Sequence, residues 1–209
     1  MGRRIVSLTG DNVGDLPAPC RSCVFWEGGH RKPDAGAKDD WLSAVLLDWG
    51  SCGRLLYVDG ELAAFALYAP PDYVALAASP AAAQTSSDAV LLMTARVLPQ
   101  HAASGLGRVL VQSVVKDLMR RRGVHAIEAI GDAQGHELSC VVPARFLTAV
   151  GFKTVQPHPR YPRLRLDLRS VLTWRDEVEV AVEKWIGAIR PDKARGRPVG
   201  LNPRDTEGS

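Results

Sequence analysis

The segment from residue 89 to residue 132 alternates strand-like and helix-like runs, and it constrains the fold more than any other feature. The apolar runs AVLLMTARVL (89–98) and VHAIEAIGD (124–132) predict strands, and GRVLVQSVVKDLMRRR (107–122) predicts an amphipathic helix that ends before Gly123. A strand, a crossover helix and a second strand predict a parallel pair, because a tight hairpin turn cannot join parallel strands. The segment therefore predicts an α/β fold.

The remaining elements predict antiparallel strands and further helices around this pair. Asp59-Gly60 lies between two apolar runs, which is typical of a β-hairpin. The predicted antiparallel pair is 54–58 with 61–69, and two more strands are predicted at 152–155 and 163–168. The further predicted helices are 39–50, 140–152 and 170–189. This order predicts a mixed α+β arrangement in three layers, with antiparallel and parallel parts in one sheet.

Size and charge narrow the class of protein. The chain has 209 residues, of which 46% are hydrophobic, and this is enough for one globular domain with a full core. It contains no apolar run long enough to cross a bilayer, and its basic start, MGRRIVSLTG, lacks the apolar stretch of a signal peptide. We therefore expect a cytoplasmic protein without a membrane partner. The net charge of +3 suits an acidic ligand but does not favour nucleic acid as a partner.

The cysteines are too few for a disulfide scaffold, since the chain has 4. Cys20 and Cys23 form a C-x-x-C motif, and with His30 and Cys52 they could supply a Cys3His zinc site. A reducible thiol pair is a second interpretation of the motif. Simple buried cysteines are the favoured interpretation, because a second paired half of a zinc site is absent. No metal is therefore assigned.

The loop before the central helix has the properties of a phosphate-binding turn. A helix N-terminus presents unpaired N–H groups and a partial positive charge, and small side chains let phosphate oxygens reach the backbone. The small residues are Ala102, Ala103, Ser104, Gly105 and Gly107. An ordinary glycine-capped turn is the alternative. A Rossmann loop is disfavoured because the first glycine of G-x-G-x-x-G is missing, and a P-loop lacks its Gly-Lys-Ser/Thr.

Two motifs resemble those of the GCN5-related N-acetyltransferase (GNAT) superfamily. The segment VLPQHAASGLGRVLV resembles the family's acyl-CoA-binding motif, V-x-P-x-x-(Arg/Gln)-x-x-Gly-x-(Gly/Ala)-x-x-Leu. Ala102 departs from it at the basic or amide position. The matching residues are Val97, Pro99, Gly105, Gly107 and Leu110. The segment PARFLTAVGF (143–152) resembles the family's C-terminal signature, A-x-x-x-Tyr-x-x-x-Gly-Phe.

The resemblance implies a central mixed, splayed sheet and an acyl-CoA cosubstrate. It implies direct transfer of an acyl group, most often acetyl, from coenzyme A to an amine acceptor. A non-catalytic acyl-CoA-binding or regulatory module with a protein partner is the alternative. The implied contacts to pantetheine come from Arg96, Val97 and Leu98. The implied contacts to the pyrophosphate come from Ala103, Ser104, Gly105, Leu106, Gly107 and Arg108.

The catalytic groups are less well defined by the resemblance. Glu128, on a predicted strand, is the candidate general base, and an outward-facing glutamate is the alternative. The family's usual tyrosine acid falls on Leu147, so N-acetyltransferase activity would need another proton donor. Cys140 falls where the family often has asparagine, and it could donate a proton or accept an acyl group. A small buried thiol is the alternative interpretation of Cys140.

The predicted domain organisation has four parts. The amphipathic C-terminal helix either covers the domain's own sheet or forms the contact of a homodimer. The parts are an irregular N-terminal segment with the C-x-x-C motif (1–35), a GNAT-like domain (36–169), the amphipathic extra helix (170–190) and a disordered tail (191–209).

Overall fold

The structure of the chain is a computed structural model that describes residues 2–28, 35–75, 85–135 and 140–170. The strands are β1 (Arg3–Ser7), β2 (Gly53–Val58), β3 (Glu61–Ala69), β4 (Ala89–Val97), β5 (Ala126–Asp132), β6 (Val142–Pro143), β7 (Lys153–Gln156) and β8 (Arg163–Asp167). The helices are α1 (Ala18–Arg21), α2 (Phe25–Gly28), α3 (Ala35–Asp48), α4 (Leu106–Leu118) and α5 (Ala144–Ala149). No helix in these ranges is both long and apolar enough to span a membrane.

The strands form one mixed sheet in the order β1-β2-β3-β4-β5-β8-β7, with β6 paired to β5. Strands β1 to β4 are antiparallel neighbours, and β4 and β5 are parallel, as the strand–helix–strand segment predicts. The parallel pairing covers three residue pairs and ends at Leu91 and Glu128. Beyond them, β5 pairs with β6 at Gly131 and Asp132. Strands β4 and β5 therefore part, and the predicted mixed, splayed sheet is confirmed.

Helices cover both faces of the sheet and produce the three predicted layers. On one face, α4 and α5 pack on the strands, with Leu110 and Leu147 among the buried residues. On the other face, Trp26 of α2 and Val45 of α3 pack against residues such as Met93. Alternate residues of a strand point to opposite faces, which is why neighbouring β5 residues belong to different clusters.

The N-terminal segment differs from the irregular segment predicted for 1–35. Strand β1 pairs antiparallel with β2, and Val13, Leu16 and Trp26 are buried. The sequence did not indicate this strand because four of its five residues are exposed, so it lacks the alternation of apolar and polar residues. Helices α1 and α2 have four residues each, which is too short for helical periodicity to show.

The helix boundaries also differ from the predicted ones. Helix α4 ends at Leu118, before the arginine run, and α5 begins at Ala144 rather than at residue 140. Val142 and Pro143 form β6 instead, because β5 is free to pair with them once it has left β4. The predicted C-terminal helix and tail, and the proposed dimer contact, concern residues beyond Ser170, which lie outside the described ranges.

A charged network fastens α4 to the sheet. Asp117 Oδ1 accepts a hydrogen bond from Arg54 Nη2 at 2.7 Å, and Asp117 Oδ2 accepts one from the Tyr68 hydroxyl at 2.7 Å. Arg121 Nε lies 3.7 Å from the same Oδ2 atom. Ser51 Oγ lies 2.9 Å from the Tyr68 hydroxyl. Burial alone raises the pKa of Asp117, but hydrogen bonds from Tyr68 and Ser51 and the charges of the arginines outweigh it, so the pKa is lowered overall.

Replacement of Asp117 by asparagine is expected to lower the free energy of unfolding at pH 7 by about 2–3 kcal/mol, because Arg54 and Tyr68 lose a charged acceptor. The pKa of Asp117 in the folded protein lies below its unfolded value of about 3.9. The stabilisation from the charged Asp117 is therefore complete at pH values above the unfolded-state pKa. It is lost as the pH falls through the folded-state pKa. Urea unfolding of both proteins at pH 7 and near pH 3 measures it, and an equal difference at both pH values would contradict the assignment.

Candidate functional site

A cavity of about 590 Å³ opens where β4 and β5 part. Four segments and Gly135, which follows β5, line it. The segments are the end of β4, the loop to α4, the start of α4, and α5 with the residues just before it. The cavity exists because β5 leaves β4 after only three residue pairs, which opens a wedge beside the last residues of β4. One end of this wedge meets the N-terminus of α4.

The loop before α4 curls its backbone around this end of the cavity. A single 3-10 turn, Pro99–His101, follows β4, and Ala103 and Gly105 then adopt left-handed conformations with φ of 58° and 75°. Gly105 caps α4, so the first helical residues, Leu106 and Gly107, have N–H groups with no acceptor inside the helix. The partial positive charge of the helix terminus adds to these donors. This end of the cavity is therefore suited to a phosphate group.

The cavity lining is basic. Within the described ranges, the lining residues that carry a full charge are Arg96, Arg108 and Arg145, and His101 lies beside them. Arg108 Nη2 donates to the Ala149 carbonyl at 3.0 Å, which links the first turn of α4 to α5. Positive side chains from three different elements thus line one cavity, and an anionic ligand would be stabilised in it.

The structure brings together most of the residues that the resemblance implies for the cosubstrate. The lining includes Arg96, Val97, Ala103, Ser104, Gly105, Leu106, Gly107 and Arg108. Leu98 is not among the described lining residues. Its side chain packs against the opposite face of the sheet, and its N–H donates to the Ala63 carbonyl at 2.8 Å.

Gly107 has a packing role that its place in the motif did not reveal. A Cβ atom at this position would lie 2.6 Å from Cε2 of Phe146 and 3.5 Å from Val97. Real Cβ contacts are essentially never this short, so the glycine lets α4 approach α5 closely. Gly105 differs, because a Cβ there would meet no atom within 4 Å and its left-handed conformation is what favours glycine.

Replacement of Gly107 by alanine is expected to lower the free energy of unfolding by about 1–3 kcal/mol, because the methyl group overlaps the Phe146 ring. Adding Phe146→Leu to this variant should recover part of the loss, since the smaller side chain makes room for the methyl group. Urea unfolding of the two single variants and the double variant measures the coupling. Strictly additive effects would show that Phe146 is not what restricts position 107.

Glu128 is buried and engaged, not outward-facing. Its side chain is 1% exposed, and its oxygens accept hydrogen bonds from Arg163 Nη1 at 2.9 Å, Arg165 Nη1 at 3.2 Å and Ser86 Oγ at 2.7 Å. Antiparallel pairing places Arg165 directly opposite Glu128, and Arg163 lies opposite Ile130. The alternation of arginine and leucine in RLRLD was the signal that β8 could supply these partners. Glu128 is not among the described residues that line the cavity.

Cys140 lies against the N-terminal segment. Its Sγ atom is 3.1 Å from Sγ of Cys23, and its carbonyl accepts a hydrogen bond from Trp26 Nε1 at 3.2 Å. The next residue, Val141, lines the cavity. Nothing in the sequence indicates that Cys23 would meet Cys140, because the two are 117 positions apart.

The four candidate zinc ligands, Cys20, Cys23, His30 and Cys52, form no metal site in the part of the chain that the structure describes. Cys52 is fully buried among core residues, and burial raises its pKa to about 12. Cys23 contacts Cys140, and His30 falls outside the described ranges. Among the described residues, no group of three or more His, Cys, Asp or Glu side chains is arranged to hold a metal ion.

Leu147 occupies the position of the family's tyrosine acid and belongs to the core. Its side chain is fully buried in the cluster that includes Phe152. No tyrosine lines the cavity in the described part of the chain, and this applies to Tyr73 and Tyr161 as well. The Tyr73 hydroxyl donates to Asp48 at 3.2 Å, and Tyr161 stacks on His158 with 6.3 Å between ring centroids.

Solved structures of GNAT proteins share this architecture. A GNAT-family protein from Desulfovibrio desulfuricans superposes with a TM-score of 0.51 and 19% identity, over 80% of this chain and 99% of that one. YncA from Salmonella typhimurium, solved with its cofactor acetyl-CoA, gives 0.57 and 17%, over 80% and 95%. The PaiA N-acetyltransferase of Thermoplasma acidophilum, in complex with coenzyme A, gives 0.54 and 11%, over 80% and 99%.

The similarity lies in the fold more than in the sequence. No protein-family model matches the sequence, and no curated protein matches it either. The structural matches are nevertheless consistent, and they cover nearly the whole length of the chains they match. The fold is that of the GNAT acetyltransferases, as the two motifs predict.

Proposed function

We propose that this chain, whose fold is that of the GNAT acetyltransferases, is an acyl-CoA-dependent N-acyltransferase that transfers acetyl from acetyl-CoA to an amine. The observation that carries the proposal is the wedge between β4 and β5, which ends at a glycine-capped helix N-terminus and has a basic lining. Coenzyme A combines a long, narrow pantetheine arm with an acidic pyrophosphate, and the wedge offers a matching place for each part.

The pantetheine arm and the pyrophosphate would contact different backbone segments, the end of a strand and the start of a helix. The pantetheine amides would pair with the end of β4 near Arg96 and Val97, as an added strand pairs with a sheet edge. The pyrophosphate would lie at the N–H groups of residues 103–108, at the start of α4. Arg108 and Arg145 line the same cavity and would add charge-assisted contacts to phosphate oxygens.

The proposed reaction is a direct transfer. The neutral amine nitrogen attacks the thioester carbonyl carbon, the carbon–sulfur bond breaks, and coenzyme A leaves as a thiolate. The proton that the nitrogen gives up balances the charge of the departing thiolate. Because Leu147 cannot donate a proton, the proton transfer must use a solvent molecule or another side chain. Glu128 and Cys140 remain the predicted residues for it, although Glu128 would have to exchange one of its present contacts.

The second candidate function is a non-catalytic acyl-CoA-binding module, and two observations favour it. Leu147 replaces the usual acid with a core residue, and both Glu128 oxygens already accept hydrogen bonds from Arg163, Arg165 and Ser86. Such a module would use the same wedge, so binding of coenzyme A alone does not separate the two candidates.

Product formation separates them. The purified protein and acetyl-CoA are incubated in four separate reactions, each with one amine. The amines are spermidine, an amino sugar, a lysine-containing peptide and a peptide with a free α-amino group. Mass spectrometry of each amine is the readout, because a thiol reagent would also react with the protein's cysteines. An acetylated amine whose formation depends on the protein is the expected result. Binding of acetyl-CoA without any product would favour the non-catalytic module.

A further inference from the structure

Cys23 and Cys140 form a thiol pair, and the proposed transfer reaction gives no role to the contact between them. Their Sγ atoms are 3.1 Å apart, whereas a disulfide bond has a length of roughly 2.05 Å. Rotation of the two side chains would have to move the sulfurs together by only about 1 Å. Both residues are partly exposed, so a small oxidant can reach them.

The surroundings of Cys23 make it the more nucleophilic member of the pair. The hydrogen bond from Cys140, followed by the Phe25 N–H and the charge of Lys38, lowers the pKa of Cys23 to about 6 against the opposing effect of burial. The pKa of Cys140 is raised, first by this same hydrogen bond and then by burial. The lowered pKa favours the thiolate form of Cys23, and in that form the S–H of Cys140 is the donor of the hydrogen bond between them.

Cys20, the other cysteine of the C-x-x-C motif, is in a different setting. Burial is the main influence on its pKa, which is raised, so it is protonated at neutral pH. The hydrogen-bonded partner of Cys23 is Cys140, at the start of the segment that leads into β6. The thiol that contacts Cys23 is therefore Cys140 and not Cys20, the residue that the C-x-x-C motif suggests.

We propose that Cys23 and Cys140 are a redox modification site, at which a small disulfide oxidant such as oxidised glutathione forms a reversible Cys23–Cys140 disulfide. The Cys23 thiolate attacks one glutathione sulfur and releases one glutathione thiolate. Cys140 then loses its proton and attacks the Cys23 sulfur, which releases the second glutathione. Two protein thiols are oxidised, and one molecule of oxidised glutathione is reduced to two of glutathione.

The bond would tie the N-terminal segment to a wall of the cavity. Cys23 lies between α1 and α2, while Val141 and Pro143, which follow Cys140, line the cavity. A cross-link between residues 117 positions apart restricts the unfolded chain strongly. The oxidised protein should therefore unfold at a temperature roughly 5–10 °C higher than the reduced protein.

Peptide mapping tests the proposal directly, because trypsin places each cysteine in a different peptide. Cleavage after Arg21 separates Cys20 from Cys23, and cleavage after Arg122 and Arg145 isolates Cys140. The full chain is reduced, desalted, treated with excess oxidised glutathione and digested without reductant. The expected results are an intact mass lower by two hydrogen atoms, the Cys23 and Cys140 peptides joined, and reversal of both by dithiothreitol.

Variants distinguish this pair from the alternatives. Cys20→Ser should keep the cross-link and the rise in Tm, whereas Cys140→Ser should leave Cys23 carrying one glutathione and abolish the rise. A bond between the Cys20 and Cys23 peptides would overturn the proposal. Glutathione adducts on the unsubstituted protein without any internal cross-link, or no reaction at all, would overturn it as well.

Discussion

Replacement of Ala102 by glutamate is expected to weaken the binding of acetyl-CoA about tenfold or more. Ala102 is exposed, lines the cavity and has ordinary backbone angles, so a longer side chain is tolerated there. The added carboxylate would lie beside the proposed pyrophosphate position. Two like unit charges 4 Å apart near a protein surface repel by about 4 kcal/mol. A tenfold effect corresponds to about 1.4 kcal/mol, and this smaller energy allows for screening by salt and a greater distance between the charges.

Matched variants at the same position isolate the effect of charge. Ala102→Gln has the size of the glutamate variant without its charge, and its affinity should stay within about threefold of the original. Ala102→Arg restores a basic residue where the GNAT motif often has one, and it should bind more tightly. Equal weakening by glutamine and glutamate would mean that the side chain blocks the cavity, and the phosphate assignment would lose its support.

Replacement of Glu128 by glutamine is expected to lower the free energy of unfolding by about 3 kcal/mol. The substitution removes the buried negative charge that faces Arg163 and Arg165, whose side chains are 14% and 20% exposed. Urea unfolding measures the loss. Asp167→Asn is the control, because Asp167 also pairs with Arg165 but is 63% exposed, and an exposed ion pair contributes less than about 1 kcal/mol. Similar losses in the two variants would contradict the buried network.

The same variant tests the proposed base. If Glu128 takes the proton from the amine, Glu128→Gln at a temperature where it remains folded should lower kcat about 100-fold or more and remove one limb of the pH profile. If Glu128 only holds β5 to β8, the folded variant should keep the pH profile of the original protein. The combination of unfolding and pH measurements therefore separates a structural role from a catalytic one.

The long periodic segments could be predicted from the sequence. The parallel pair follows from two apolar runs on either side of an amphipathic helix, and Asp59-Gly60 forms the hairpin turn with φ of 50° and 92°. In both cases the signal lies in consecutive residues. Strand β1 could not be predicted, because its place is determined by backbone pairing with β2 and not by burial of its side chains.

The candidate site could be predicted only in part, for a similar reason. The loop before α4 is a local motif, and the structure places nearly all of its predicted residues on one cavity. The contact between Cys23 and Cys140, and the arginines around Glu128, depend on which segments the fold brings together. The close approach of Phe146 to Gly107 depends on how α5 packs on α4. No periodicity within one segment carries this information.

Calorimetric titration of the reduced protein with acetyl-CoA, and then with coenzyme A, tests most directly the claim that the wedge between β4 and β5 is a cosubstrate site. The predicted result is binding of both in the micromolar range at one site per chain, with the affinity weakened in Ala102→Glu and preserved in Ala102→Gln. Absence of binding by either ligand at millimolar concentration would contradict the claim, and the loop before α4 would then be an ordinary glycine-capped turn.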